Sequence, residues 1–270
     1  MPGAMVGEGD FEPAASFAGP RPGFAFKAGP LGLGYYRDEP VVAVETWEGT
    51  GGVAVEVEVD RRGTTGHTGR LLWPASRRLG DLLCREPPLV RGRRVLELGA
   101  GCGLVSAVAA ALGAEVTATD RPPLLERLRR TAALNPRADT GAPAFAVEPL
   151  EWGLDDAGAS PLPWPLGHFH VILGSDVTYS CRRDDLEALV ELLARLAGPE
   201  TTTLLAHQVR SSERVAVLRA VFQECWGDRL KVFDEAPIEP SVDGQADGAD
   251  SQPILVLLLR GPPLVQAGRG

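Results

Sequence analysis

A short apolar run that leads directly into three alternating glycines constrains the fold of this chain more than any other segment. It reads Val95-Leu-Glu-Leu-Gly-Ala-Gly-Cys-Gly103, and an alanine-rich stretch with helical spacing follows it. Glycines permit a sharp turn between a strand and a helix, and they let a ligand approach the backbone closely. This order of strand, glycine turn and helix is typical of nucleotide-binding α/β proteins.

The chain around this segment alternates between strand and helix patterns. Repeated βα units predict a mostly parallel sheet with helices on both faces. The last two strands are separated by the acidic stretch 234–252, which has no helical pattern, so they predict an antiparallel hairpin at the sheet edge. Strands are predicted at 94–98, 116–119, 145–150, 169–174, 202–206, 230–233 and 254–259, and helices at 71–83, 104–112, 123–134, 184–196 and 212–225.

The segments before this core have two different characters. Apolar residues spaced by two on either side of the glycine-rich segment 48–52 predict a β-hairpin over residues 41–60. Of the first 40 residues, 14 are Gly or Pro, so we expect residues 1–40 to form a flexible extension. Its aromatic residues either dock on a surface or belong to a loose tail.

This organisation predicts one main domain over residues 41–262. The domain consists of the hairpin at 41–60 and the seven-stranded core at 70–260, and residues 263–270 form a tail.

Composition restricts the compartment and the partners. The chain has 27 Lys and Arg against 36 Asp and Glu, a formal charge of −9, which argues against a nucleic-acid partner held by phosphate contacts. The longest late apolar run is 254–259, far shorter than the roughly 20 residues of a membrane span. No signal peptide is apparent. The four scattered cysteines have no metal-ligand spacing, so we expect no metal, free thiols and a location in the cytosol or the nucleus.

An acid closes the next predicted strand, and it narrows the choice of ligand. Asp120 lies 21 residues beyond Gly99, where a carboxylate can accept both ribose hydroxyls of a nucleoside. The glycine pattern is GxGxG rather than the GxGxxG of pyrophosphate sites, and Glu97 precedes it. A carboxylate at this position repels a pyrophosphate, but it can bind an ammonium group or order the loop. These features favour S-adenosylmethionine over NAD, and a methyltransferase over an oxidoreductase.

Six short segments occur one after another along the chain. They are Leu72-Trp-Pro-Ala75, Glu97-Leu-Gly-Ala-Gly-Cys-Gly103, Val116-Thr-Ala-Thr-Asp120, Ala133-Leu-Asn135, Leu150-Glu-Trp152 and Gly174-Ser-Asp-Val-Thr-Tyr179. Together they resemble the seven-strand methyltransferases, and most closely methyltransferase family 16, which includes lysine methyltransferases of non-histone proteins. The resemblance covers roughly residues 41–260 and implies a Rossmann-like fold. Two departures are Cys102, where Thr is common, and Thr178, where an aliphatic residue is usual.

The resemblance implies a site for S-adenosylmethionine, which leaves as S-adenosylhomocysteine. The glycine segment would frame the methionine end, Asp120 would hold the ribose, Trp152 would pack beside the adenine and Trp73 would close the pocket. Plain core packing is the alternative for both tryptophans. The implied cofactor-binding residues are Trp73, Glu97, Gly99, Ala100, Gly101, Asp120, Trp152 and Ser175.

The resemblance assigns Asp176 and Tyr179 to substrate binding and catalysis. They follow a predicted strand at the sheet edge where ligands bind in open α/β folds. A free lysine has a pKa near 10.4, so deprotonation at pH 7 costs about 4.6 kcal/mol, and a nearby carboxylate opposes it. We therefore expect Asp176 to capture and aim the amine rather than to act as its base. Tyr179 shapes the channel or hydrogen-bonds the amine; the alternative is that it only caps the strand.

Two other groups are expected to be structural. Arg127, Arg129 and Arg130 fit the solvent-facing side of a helix. His207 ends the fifth core strand near Arg210, on the same rim, where a substrate contact is possible but a structural use is favoured.

The sequence thus predicts a monomeric enzyme that transfers a methyl group from S-adenosylmethionine to a lysine of a non-histone protein. By the resemblance, candidate substrates are a translation elongation factor, an Hsp70-type chaperone or an AAA ATPase. The alternatives are a methyltransferase of small molecules or nucleic acids, and a catalytically silent cofactor-binding interaction protein.

Overall fold

The computed structural model describes residues 11–19, 21, 23–37, 41–60, 68–152, 162–236 and 252–264. The strands are β1 (Phe11–Pro13), β2 (Phe24–Gly29), β3 (Gly32–Arg37), β4 (Val42–Glu48), β5 (Ala54–Asp60), β6 (Arg94–Leu98), β7 (Glu115–Asp120), β8 (Ala146–Pro149), β9 (Val171–Ser175), β10 (Thr202–Gln208), β11 (Leu230–Ala236) and β12 (Ile254–Arg260). The α-helices are α1 (Pro74–Arg85), α2 (Leu104–Ala111), α3 (Pro122–Leu134), α4 (Arg183–Leu196) and α5 (Ser212–Trp226).

A seven-stranded sheet with the order β11-β12-β10-β9-β6-β7-β8 forms the centre of the fold. Strands β10, β9, β6, β7 and β8 are parallel to one another, whereas β12 is antiparallel to both β10 and β11. The predicted mixed sheet with an antiparallel last hairpin is confirmed. The connection between β11 and β12 includes residues 237–251, which lie outside the described residues.

The central strands are apolar on both sides because each side faces its own core. Successive residues of a strand point to opposite faces of the sheet. One core contains Val95, Val171, Leu204 and Val256 and is covered by α1, α2 and α3. The other contains Leu96, Ile172, Leu205 and Leu257 and is covered by α4 and α5. The prediction of helices on both faces is therefore confirmed.

The predicted hairpin is present as β4 paired with β5, in the register that places Val44 opposite Glu58. Glu58 is buried, and it ties the hairpin to α3 because Arg130 Nε and Nη2 donate to its carboxylate at 2.7 and 2.9 Å. Arg127 Nη1 lies 3.4 Å from the same carboxylate. The expectation that Arg127 faces solvent is wrong, since only 7% of it is exposed; the buried acid of β5 accounts for its position.

The extension contains a small antiparallel sheet with the order β1-β3-β2. The aromatic rings of Phe17, Phe26 and Tyr35 pack against one another, and Tyr35 Oη donates to Gly19 O at 2.8 Å. Sequence analysis placed no strand in residues 1–40, so this sheet was missed. The mobility of the extension and the limits of the domain stay predictions, and residues 265–270 of the predicted tail lie outside the described residues.

Two further findings concern the described residues. None of their helices combines the length and apolarity needed to cross a lipid bilayer. All four cysteines are buried free thiols, as expected.

Candidate active site

One cavity opens where the carboxyl ends of the parallel strands meet. Its volume is about 400 Å³, and residues that follow β6, β7, β9 and β10 line it together with the start of α1. Of the ten predicted site residues, Glu97 is the one that does not reach the cavity. The other nine, which line it, are Trp73, Gly99, Ala100, Gly101, Asp120, Trp152, Ser175, Asp176 and Tyr179.

The glycine loop from β6 to α2 depends on backbone shapes that favour glycine. Gly99, Gly101 and Gly103 have φ angles of 59°, 56° and 83°, in the left-handed region that side chains disfavour. A Cβ atom on Gly99 would lie 2.9 Å from Val177 Cγ1, and one on Gly101 would lie 3.1 Å from the carbonyl oxygen of Gly69. The loop can therefore pass close to these neighbours only because it lacks side chains there.

Asp120 connects the end of β7 to this loop. Its Oδ2 accepts the backbone N–H of Gly101 at 2.7 Å, and its Oδ1 accepts the N–H of Arg121 at 2.7 Å. Burial raises the pKa of Asp120, and these two donors oppose the rise. A carboxylate offers about four acceptor positions, so two remain for hydroxyl groups in the cavity.

Glu97 lies behind the loop and is fully buried. Its Oε2 accepts the hydroxyl of Ser106 on α2, whereas Oε1 has no hydrogen-bond partner among the described residues. Burial raises the pKa of Glu97 to about 8; hydrogen bonds from Ser106 oppose the rise, and the charge of Asp120 adds to it. Glu97 is therefore mostly protonated at pH 7. Of the two roles that the sequence left open, this position suits the ordering of the loop better than a charge pair with an ammonium group.

Both predicted tryptophans face the cavity rather than lying wholly in the core. Trp73 directly precedes α1, whose first residue is Pro74, and Ser76 Oγ donates to the carbonyl oxygen of Trp73 at 2.7 Å. Proline suits the first helical position because the N–H it lacks has no partner there. Trp152 is half-buried and lies 3.5 Å from the position of a Cβ on Gly99. The indoles thus form apolar walls of the cavity.

Asp176 begins a tight turn at the end of β9. Its φ angle is 57°, its N–H donates to Ala206 O at 2.7 Å, and its own carbonyl accepts the N–H of Tyr179 at 3.2 Å. Asp and Asn tolerate this left-handed conformation better than most residues do. Tyr179 is 51% exposed and lines the cavity, so it is available to a ligand rather than packed as a strand cap.

The carboxylate of Asp176 is paired with an arginine, which sequence analysis had not predicted. Arg210 Nη1 donates to Oδ1 at 2.9 Å and Nη2 to Oδ2 at 2.5 Å, while the N–H of Gln208 donates to Oδ1 at 3.3 Å. Asp176 is only 7% exposed. The signal that could have found the pair is the position of Arg210, two residues past the end of β10, at the same sheet edge as Asp176.

His207 has the structural role that the sequence favoured. It is 2% exposed, its Nδ1 lies 2.9 Å from Thr178 Oγ1, and its Nε2 lies 3.8 Å from Cys181 Sγ. Burial lowers the pKa of His207 to about 4, against the opposing charge of Asp176. The neutral ring therefore supports the turn of residues 176–181 from behind. Across the described residues, no three His, Cys, Asp or Glu side chains are grouped so as to hold a metal ion.

The sheet order, the two helical layers and the cavity define a Rossmann-like protein of the seven-strand methyltransferase fold. The T. thermophilus 16S rRNA methyltransferase RsmC, solved with AdoMet and guanosine, matches 84% of this chain and 54% of its own length, with a TM-score of 0.53 and 19% identity. A putative SAM-dependent methyltransferase from Streptococcus mutans matches 84% of this chain and 58% of its own, with a TM-score of 0.52 and 14% identity. At these identities the likeness concerns the fold alone.

The chain belongs to the lysine methyltransferase family, whose sequence model matches residues 55–223. It is 41% identical over 124 residues to the Danio rerio protein N-lysine methyltransferase METTL21A. The aligned region covers 45% of this chain and 52% of that protein. It is also 33% identical over 140 residues to the Mus musculus EEF1A lysine methyltransferase 3. This alignment covers 52% of this chain and 56% of that protein. The match thus spans about half the length of these relatives. The family resemblance drawn from the six segments is confirmed.

Proposed function

We propose that this chain is an S-adenosylmethionine-dependent methyltransferase that modifies a lysine side chain of a protein. The observation that carries the proposal is that Asp120 and Asp176, at the ends of β7 and β9, line one cavity. One acid suits a nucleoside and the other suits an amine, so the cavity can bring the two reactants together. Membership of the lysine methyltransferase family supports the same reaction.

The cofactor end of the cavity fits S-adenosylmethionine. Gly99 and Gly101 line the cavity with backbone alone, so a ligand can approach their peptide groups closely. Asp120 keeps two acceptor positions for ribose hydroxyls. Trp152 offers an indole face to the adenine and Trp73 closes the wall. Ala100 and Ser175 complete the lining. When bound, the cofactor supplies a methyl group activated by the positive charge of its sulfonium.

Glu97 holds the shape of the loop. Its carboxyl binds Ser106 on α2 from beneath the glycine turn and does not reach the cavity. It therefore supports the cofactor site through the backbone rather than through contact with the cofactor.

The acceptor end of the cavity aims an amine. Oδ2 of Asp176 keeps an acceptor position after its bond to Arg210, and an N–H of the amine can use it. This bond would fix the orientation of the nitrogen at the cavity wall, and holding a reactant in the right orientation can supply a large part of the rate acceleration in a bimolecular reaction. Tyr179 lines the approach from solvent. The amine must arrive neutral or lose its proton to water, because Asp176 is held in an ion pair.

The substrate is, by this proposal, a protein. One relative is named as a methyltransferase of EEF1A, which supports a translation elongation factor as the first candidate class. An Hsp70-type chaperone and an AAA ATPase follow from the family resemblance. Four buried free thiols suit a reducing compartment, which we place in the cytosol or the nucleus.

The test is the transfer of tritium from labelled S-adenosylmethionine into the proteins of a cell extract, separated on a denaturing gel. Wild type and Asp176→Asn are compared, because Asn keeps the size and the left-handed preference of Asp but loses its charge. A discrete band that disappears with the variant supports the proposal and gives the mass of the substrate. Cofactor binding without any labelled protein would refute it in favour of a small-molecule acceptor or a silent protein.

A further inference from the structure

The acceptor end of the cavity contains a buried carboxylate whose charge is already balanced. Both oxygens of Asp176 accept hydrogen bonds from the guanidinium of Arg210, at 2.9 and 2.5 Å. This two-bond geometry is the strongest common form of a protein ion pair. The pair therefore presents little net charge to a ligand that enters the cavity.

Arg210 is also fixed by groups other than Asp176. Its Nη2 donates to Gln208 Oε1 at 2.9 Å, and its guanidinium carbon lies 5.4 Å from the centre of the Trp73 ring. An arginine over an indole face gains a cation–π attraction. The guanidinium is thus held by the ends of β9 and β10 and by the residue before α1, which is more than a surface ion pair requires.

Methyl transfer places two opposing requirements on the acceptor site, and the Asp176–Arg210 ion pair can meet both. The acceptor must be a neutral amine, because an ammonium ion has no lone pair with which to attack. A carboxylate without a partner would attract the ammonium form and raise the pKa of the lysine by about 1 to 3 units. A carboxylate that is paired with a guanidinium keeps its hydrogen-bonding oxygen but loses most of this attraction.

We propose that Arg210 is a positioning residue of the acceptor site, which balances the charge of Asp176 so that the carboxylate aims a neutral amine instead of retaining an ammonium ion. This inference rests on the proposed function, since it requires that a lysine side chain enters the cavity. The carboxylate offers about four acceptor positions, and Arg210 and the N–H of Gln208 use three of them. The fourth, on Oδ2, is the one that the amine takes.

The neighbouring titratable and charged groups are His207, Cys181, Tyr179, Asp185 and Arg214. His207 Nδ1 lies 4.0 Å from Asp176 Oδ1, and the last three of these residues line the same cavity. Burial lowers the pKa of His207 to about 4 and raises the pKa of the Cys181 thiol. Neither of these two groups changes charge between about pH 6 and 8, so they do not produce the pH dependence described below.

The first test measures binding of n-butylamine, which imitates a lysine side chain, to the full chain by NMR titration at pH 7. We expect Arg210→Gln to bind the butylammonium ion about tenfold more tightly than wild type, because its Asp176 is left without a cation. Arg210→Lys keeps the charge and should resemble wild type. Weaker or unchanged binding by Arg210→Gln, or failure of Arg210→Lys to restore the wild-type value, would overturn the proposal.

The second test follows the labelled protein band as a function of pH. Arg210→Gln should shift the rise of activity toward higher pH by about one unit, and Arg210→Lys should move it back. Arg183→Gln is the control for loss of a charge, because Arg183 is exposed and pairs with Glu187 and Glu224. An equal loss of activity at every pH would mean that Arg210 is only structural.

The two measurements separate this inference from the function on which it rests. If wild type labels no protein, the proposed function fails, while the n-butylamine titration still decides whether Arg210 balances Asp176. The melting temperature and the affinity for S-adenosylhomocysteine show that each variant is folded.

Discussion

Oδ2 of Asp120 accepts the backbone N–H of Gly101 at 2.7 Å, so the last residue of β7 holds the loop that leaves β6. The residue expected to bind the ribose is therefore also an anchor of the glycine loop. A single substitution at Asp120 acts on both properties, and a useful experiment has to separate them.

We expect Asp120→Ala to weaken the binding of S-adenosylmethionine more than tenfold. Each hydrogen bond to a charged group contributes about 1.5–3 kcal/mol, and the variant loses the ribose acceptor as well as the loop anchor. Asp120→Asn keeps one acceptor oxygen and should show a smaller loss of affinity with a higher melting temperature than Asp120→Ala. Calorimetry measures these affinities for S-adenosylmethionine. An unchanged affinity in Asp120→Ala would show that Asp120 does not bind the ribose.

Gly101→Ala should lose cofactor affinity as well as stability. Its φ of 56° disfavours a side chain, and the new Cβ would lie 3.1 Å from the carbonyl oxygen of Gly69 in the cavity wall. Gly113→Ala is the matched control, because Gly113 has a φ of 91° but its Cβ would meet only Arg91 Cγ at 3.7 Å. The control should lower stability by about 1 kcal/mol and leave cofactor affinity unchanged. Equal affinities for both variants would show that the loop tolerates the methyl group.

Glu97 should make the stability of wild type fall as pH rises from about 5 to 8. The pKa of Glu97 is raised to about 8 in the folded protein, above its value in the unfolded chain. The folded state therefore holds a proton that the unfolded state releases, and its stabilising effect is lost as pH rises through the folded pKa. Glu97→Gln removes this titration, because the amide does not ionise.

The melting temperatures of wild type and Glu97→Gln are to be compared between about pH 5 and pH 8. The difference should favour the variant increasingly toward pH 8, by roughly 10 °C. Parallel curves would contradict the buried protonated carboxyl. Cofactor affinity of Glu97→Gln should stay within about threefold of wild type, because Glu97 does not line the cavity; a larger loss would instead indicate direct contact with the cofactor.

Deletion of residues 1–40 should change the melting temperature of the remaining chain by less than about 3 °C. The aromatic rings of the small sheet pack on one another, with Arg21 over the ring of Tyr35. The deletion therefore removes a unit with its own contacts and tests the expected domain start at residue 41. A fall of 10 °C or more would show that this sheet supports the main domain.

The main sheet could be predicted because its signals are local. Each central strand is a short apolar run, and each helix repeats its apolar residues at one spacing, as in Val171–Ser175 and Arg183–Leu196. The position of Asp176 and Asp120 at one edge followed, since carboxyl ends of parallel strands meet there.

The contacts between distant residues could not be predicted in this way. Asp176 and Arg210 are 34 residues apart, and the acid at 58 reaches arginines on α3 from another part of the chain. Such pairs depend on how whole elements pack, which no local pattern records. The small N-terminal sheet was missed for a different reason, because its many Gly and Pro residues hide the alternation that marks a strand.

The position of β12 has a consequence for how the chain is made. This strand pairs with β10 on one side and β11 on the other, and Ile254, Leu255, Leu257 and Leu259 are almost wholly buried. A ribosome that has not yet released residues 254–260 therefore presents a nascent chain with two unfinished sheet edges and an unclosed core. Such edges invite pairing with other chains. The last step of synthesis of this domain is thus also the step that closes these edges and protects the domain from aggregation.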